Sequence, residues 1–261
     1  MSDMPAVEPN PSLGVGTIVS ESFSILFKNF VLVFIVAFIP SLIGLLISGL
    51  LIGFEAALGI EEQNVAGGIS VLANVVSALI DLVVYSVTTA LVIQLAYDAK
   101  LSRPIRIGRY FGPALSAIVP LVVLSLVAGI LATIGFVILI VPGIWVYAVF
   151  AVVAPVVVIE RAGFTGLGRS AALTKEYRWP IVGAFILAFL IAIALSAVAI
   201  LLASLAAGIG GVSGLIIAVM VFTALSTMGT GLISIVTSMI YARLREIKEG
   251  VSVDQIAAVF D

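Results

Sequence analysis

The chain has no cysteine and no histidine. Their absence excludes thiol nucleophiles, imidazole bases, disulfides, zinc sites built on Cys or His, and haem held by a Cys or His axial ligand. Charge is also scarce: Asp, Glu, Lys and Arg make up 10% of 261 residues, against roughly a quarter in a soluble domain. In their place the chain is 62% hydrophobic, with a mean hydropathy of +1.34. That composition predicts an all-α integral membrane protein. Any chemistry would fall to carboxylates, Lys, Tyr, Ser or Thr.

Uncharged runs place the spans, since about 20 apolar residues cross about 30 Å of hydrocarbon. Residues 1–12 hold three prolines, Asp3 and Glu8, without the basic flank and apolar core of a cleavable signal peptide, and read as a flexible tail. From Thr17 a helical pattern sets Val19, Phe23, Leu26, Phe27 and Phe30 against Thr17, Ser20, Glu21, Ser24 and Lys28. That suits an interfacial helix, the alternative being a simple extension of the first span. Spans are expected at residues 30–54, 69–97, 112–141, 144–160, 180–208 and 214–242, within a membrane domain covering 13–250. Pro142-Gly143 is the expected break between the third and fourth, because Pro removes a helix donor and Gly accepts positive φ. Glycines at 208–214 divide the fifth from the sixth. Ser252 with Gln255 reads as a capping box opening a short helix over 251–261.

Charge checks the count. The twelve Lys and Arg lie at Lys28, at 100–109, at 161–178 and at 243–248. Six crossings gather them all on one side and leave only Glu55, Glu61 and Glu62 opposite. The positive-inside rule then makes both termini cytoplasmic. Lys28-Asn29-Phe30, Arg109-Tyr110-Phe111 and Arg178-Trp179 each precede a span of the same direction, as three like hairpins would require. Basic and aromatic residues also mark any membrane boundary, which explains the same pattern without a repeat.

Three features carry candidate roles. Asp81 is the one formal charge inside a long apolar run, and Ser70, Asn74, Ser77, Asp81, Tyr85 and Thr88 share a helical face. An intramembrane carboxylate costs about 2.5–3.5 kcal/mol, so it is expected to face protein or a water-filled cavity. It reads either as an ion site or as a neutral, hydrogen-bonded carboxyl that fixes packing. On the sixth helix Ser226, Thr230, Ser234 and Ser238 form a stripe at steps of four, either bonding back to the backbone or lining a wet path. Ala184, Ala188, Ala192 and Ser196, with Gly49 and Gly53, form ladders for close helix contact, and any facing outward would serve self-association. The basic segments suit anionic lipid headgroups better than nucleic acid.

Val141-Pro142-Gly143-Ile144-Trp145, Pro155 through Glu160-Arg161, Arg169-Ser170, Leu173-Thr174-Lys175 and Tyr177-Arg178-Trp179 resemble the family named for the membrane domain of glycerophosphoryl diester phosphodiesterase, as does the exit Tyr241-Ala242-Arg243-Leu244-Arg245. The resemblance implies a stand-alone six-span protein of a bacterial inner membrane. The family's soluble catalytic barrel, with its histidines and metal-binding acids, has no counterpart in this chain. It also implies that Trp145 anchors near the outer headgroups and Trp179 at the inner interface, and that Arg169, Lys175 and Arg178 contact phosphates or pair with Glu160 and Glu176. The expected function is therefore non-enzymatic: self-association and engagement of phospholipid through Lys28, Arg103, Arg106, Arg109, Arg169, Lys175, Arg178 and Trp179, with no cofactor or metal. The alternative is a channel or transporter whose path uses Asn74, Ser77, Asp81, Tyr85, Ser226, Thr230 and Ser234.

Overall fold

The computed structural model describes residues 11–60 and 67–250. The proposed tail up to residue 10, Glu61, Glu62 and the proposed helix over 251–261 lie outside them. Among the described residues the regular structure is entirely helical: α1 (Val15–Lys28), α2 (Phe30–Ile52), α3 (Phe54–Ala57), α4 (Gly68–Lys100), α5 (Phe111–Ile138), α6 (Ile140–Val149), α7 (Val153–Ile159), α8 (Gly166–Thr174), α9 (Arg178–Ala207) and α10 (Gly211–Glu249). Six segments are long and apolar enough to cross a membrane: α2, α4, α5, α6 with α7, α9 and α10. The chain is thus a multi-pass, all-α membrane protein. Its outer surface is greasy, as lipid requires, with Leu50, Ile69 and Val137 each at least 80% exposed.

The six crossings alternate in direction and bring every Lys and Arg to one end of the bundle, called here the basic end; Glu55 on α3 lies at the other. Sequential spans pair as α2–α4, α5–α6 and α9–α10. Small residues set those contacts. A methyl on Gly44 would lie 2.8 Å from Val84, and one on Gly229 would lie 3.4 Å from Ala192. Ala184, Ala188 and Ala192 are buried, and Ala199, Ala203 and Ala206 continue the seam. The three alanines of the ladder are therefore consumed inside the bundle, while Ser196 is half-buried. Gly49 faces the Phe54 ring and Gly53 turns α2 into α3 at φ +91°, so the other ladder also serves the fold.

The break between the third and fourth spans falls at Leu139, which is extended (φ −163°, ψ 156°), and not at Pro142-Gly143. Pro142 sits in the first turn of α6, where its missing donor is no loss. Gly143 is there for proximity: a methyl on Gly135 would stand 2.9 Å from the Gly143 Cα. The fourth crossing is interrupted at Phe150–Val152, dividing α6 from α7. The sixth begins at Gly211, three residues earlier than expected, and continues unbroken through its basic segment to Glu249.

α1 is a helix of its own, ended at Asn29, and not an extension of α2. It packs on α10 and α9 at the basic end, burying Ile18, Ser22, Ile25 and Leu26 and leaving Phe27 outside. The larger core fills this half of the molecule, around Leu91, Val92, Leu95, Ile235, Ile240 and Tyr241. A small cluster of Leu58, Ala203, Ala206, Ala218 and Val219 closes the other end.

Candidate functional site at the basic end

The cations of the basic end divide into two populations. One is neutralised internally. Arg169 on α8 donates to both oxygens of Glu160, from Nε at 2.8 Å and Nη2 at 3.0 Å, and also pairs with Glu249. Arg245 pairs with Glu249 at 2.7 Å, and the Tyr241 hydroxyl donates to Glu160 at 2.9 Å. This fork ties α7 and α8 to the end of α10, and the hydrogen bond that Arg169 donates to Glu160 helps to raise the Arg169 pKa above its ordinary value. Glu249 takes the place the sequence reading gave Glu176, which is exposed at φ +77°. Lys248 donates to the carbonyls of Ala172 and Lys175, and Lys100 to Glu21 at 2.6 Å, which fastens α1.

Arg178 also turns inward. Its guanidinium lies 4.2 Å from the centre of the Trp145 ring, a cation–π contact. Through this contact Arg178, which opens α9, is tied to α6. The physical reason is the hairpin itself: α6 folds back against α5 and turns Trp145 toward α8 and α9. Arg103 is half-buried beside Tyr110 and Asp98, where the Tyr110 hydroxyl donates to Asp98 at 2.7 Å. Burial first, and Asp98 next, raise the Tyr110 pKa.

The second population faces outward: Lys28, Arg106, Arg109, Arg161 and Lys175 are exposed. Four of these cations lie one to four residues from an exposed aromatic. Lys28 neighbours Phe27, Arg109 precedes Phe111, Arg161 precedes Phe164, and Lys175 precedes Trp179, with ring exposures of 50–66%. A charge that seeks phosphate beside a ring that seeks the interface is the pairing an anionic bilayer surface selects. The sequence reading noted Phe27 on the apolar face of the first helix and Phe111 after Arg109, but its lipid-contact set left out both rings together with Arg161 and Phe164. Their signal was present as short cation–aromatic spacing in each basic segment.

The intramembrane polar face does not form one path. Asp81 is exposed on the flank of the bundle, where it accepts a 2.9 Å hydrogen bond from Ser48 on α2; it is not enclosed by the described residues. At 1.5 Å per residue it stands about 24 Å from the level of Tyr97 and about one helical turn below the end of α2. The other way along α4, Gly68 lies about 20 Å from it by the same rise. Asn74 donates to the Ser70 carbonyl, and Ser77 is buried. On α10, Thr230 and Ser234 donate to Ser226 and Thr230 carbonyls, so the stripe bonds mainly along its own helix, while Ser238 crosses to the Ile93 carbonyl. Tyr85 and Ser234 do meet, in a cavity of about 200 Å³ among α4, α5, α6, α7 and α10 that Asp81 does not line. Among the described residues no three His, Cys, Asp or Glu side chains gather as metal ligands would.

Comparison with protein-family models, with curated proteins and with solved structures finds no match to this chain.

Proposed function

We propose that this is a non-enzymatic protein of the bacterial inner membrane, with both termini in the cytoplasm, that engages anionic phospholipid through its basic end and assembles with itself. The observation that carries the reading is the set of four exposed cation–aromatic pairs, Phe27/Lys28, Arg109/Phe111, Arg161/Phe164 and Lys175/Trp179. Arg169, Arg178 and Lys100 are engaged within the protein and act on lipid only through the shape they hold. Each outward cation near an anionic surface contributes about 1 kcal/mol. Self-association rests on the exposed apolar flank of α4, from Ile69 to Leu79, beside Asp81; a second copy covering it would remove the carboxyl from lipid. A solute path has less support, since Asp81 is parted from the cavity of Tyr85 and Ser234.

Native mass spectrometry of protein released from nanodiscs of mixed anionic and zwitterionic lipid tests the proposal. The expected result is an oligomer retaining anionic lipid, with that preference lost when Lys28, Arg109, Arg161 and Lys175 are all changed to Gln. A lipid-free monomer would count against both parts.

A further inference from the structure

The cavity beside Tyr85 is lined by hydroxyl groups and contains no charge. Ser125 and Gly129 of α5 line both this chamber and a groove of about 390 Å³ on the outer face between α4 and α5. The chamber and the groove therefore lie side by side along α5, with Ser125 and Gly129 as their shared wall. The groove is walled by Leu126, Ile130 and Ile134, all at least half exposed.

Inside, the hydroxyls are only partly used. Ser86, Ser234 and Thr237 each donate to a carbonyl of their own helix. Thr89 is 6% exposed and its Oγ1 is not bonded to a carbonyl of its own helix, standing instead beside the Tyr85 hydroxyl. A hydroxyl that is not returned to its own backbone keeps the capacity to exchange hydrogen bonds with a ligand. Gly129 leaves the entrance open, because a methyl built on it meets nothing within 4 Å.

We infer that this chamber and groove form a lateral binding site for an uncharged lipid whose head carries a hydroxyl or carbonyl. The head occupies the hydroxyl-lined chamber and exchanges hydrogen bonds with Thr89, Tyr85 and Ser125. The chain lies along Leu126, Ile130 and Ile134. With no cation in the chamber, a phosphate or carboxylate head is excluded by desolvation, so this site differs in ligand class from the basic end.

The test uses the full chain in phosphatidylcholine vesicles containing a diazirine-bearing long-chain fatty alcohol, with the corresponding fatty acid at alkaline pH as the charged comparison. The alcohol should label peptides from residues 121–154 and 85–89 saturably, and unlabelled alcohol should displace it. Gly129→Phe, which fills the entrance at a position with open space, should abolish that labelling while melting like the wild type. Labelling by the fatty acid should not exceed that of lipid-facing α2. Non-saturable labelling spread evenly over α2 and α5 of the wild type would overturn the inference whether or not Gly129→Phe folds. Retained saturable labelling in a folded Gly129→Phe would do the same. Neither outcome bears on the anionic-lipid reading, since the probe is uncharged and the basic end is unaltered.

Discussion

Breaking the fork at Arg169 gives a quantitative test of how α7 and α8 are held to α10. Arg169 reaches Glu160 through two hydrogen bonds of 2.8 and 3.0 Å, with the two side chains 35% and 18% exposed. Fully exposed ion pairs contribute about 0–1 kcal/mol, and loss of one partner of a fully buried pair costs about 3–5 kcal/mol. This geometry lies between, and Arg245 remains 3.9 Å from Glu160 and 2.7 Å from Glu249 to absorb part of the loss. Hydrogen bonds to charged groups contribute about 1.5–3 kcal/mol, and the compensation by Arg245 puts the Arg169–Glu160 coupling at the low end of that range. A double-mutant cycle with Arg169→Met and Glu160→Gln, read by unfolding in detergent micelles, measures it. Arg169→Met should be the costlier single change, because it strips a partner from both Glu160 and Glu249. A coupling below about 0.5 kcal/mol, the usual additivity limit, would refute the idea that this fork ties the helices together.

Other consequences are equally specific. Gly135→Ala should destabilise the protein by about 1–3 kcal/mol, the usual cost of overpacking, and more than Gly143→Ala: the first methyl meets the backbone of Gly143, the second the Phe136 ring, which is half exposed and free to swing aside. Equal losses in thermal unfolding would contradict that contrast. Because the Tyr110 pKa is raised in the folded protein, its contribution is complete below the unfolded value near 10 and fades as pH rises toward the folded value. The stability gap between wild type and Tyr110→Phe should therefore narrow above about pH 10, and a gap that widened would reverse the sign of the argument. Asp81→Leu should fold and leave solute flux in liposomes unchanged, since Asp81 lies outside the cavity; a fall in flux would restore the path reading.

The sequence displayed what lipid dictates and concealed what packing decides. Span number followed from uncharged runs because no backbone or charge economy permits another way across hydrocarbon. The spans lengthened or broke where tertiary contact overruled local signals. Pro142-Gly143 carried the strongest breaking signal, yet Pro is tolerated in a first turn and Gly143 was needed for its closeness to Gly135, so the chain turned at Leu139, which carries no breaking signal. Asp81 was legible as a special residue, but its polar face assumed an enclosed helix, and whether a helical face meets α2, α5 or lipid is set by bundle geometry that periodicity does not encode. Likewise the twelve cations looked alike in sequence. Only the positions of Glu160, Glu249 and Trp145 separated Arg169 and Arg178 from the outward Lys28, Arg109, Arg161 and Lys175.

The lipid-binding account depends above all on the basic end meeting the cytoplasmic leaflet. Since the chain has no cysteine, single replacements report without background, and Gly108→Cys and Gly168→Cys fall at exposed positions with open space while Glu55→Cys marks the opposite end. A membrane-impermeant maleimide applied to spheroplasts should label the variant at 55 and reach those at 108 and 168 only after lysis. Labelling of 108 and 168 from different sides, or of both from outside, would contradict the account.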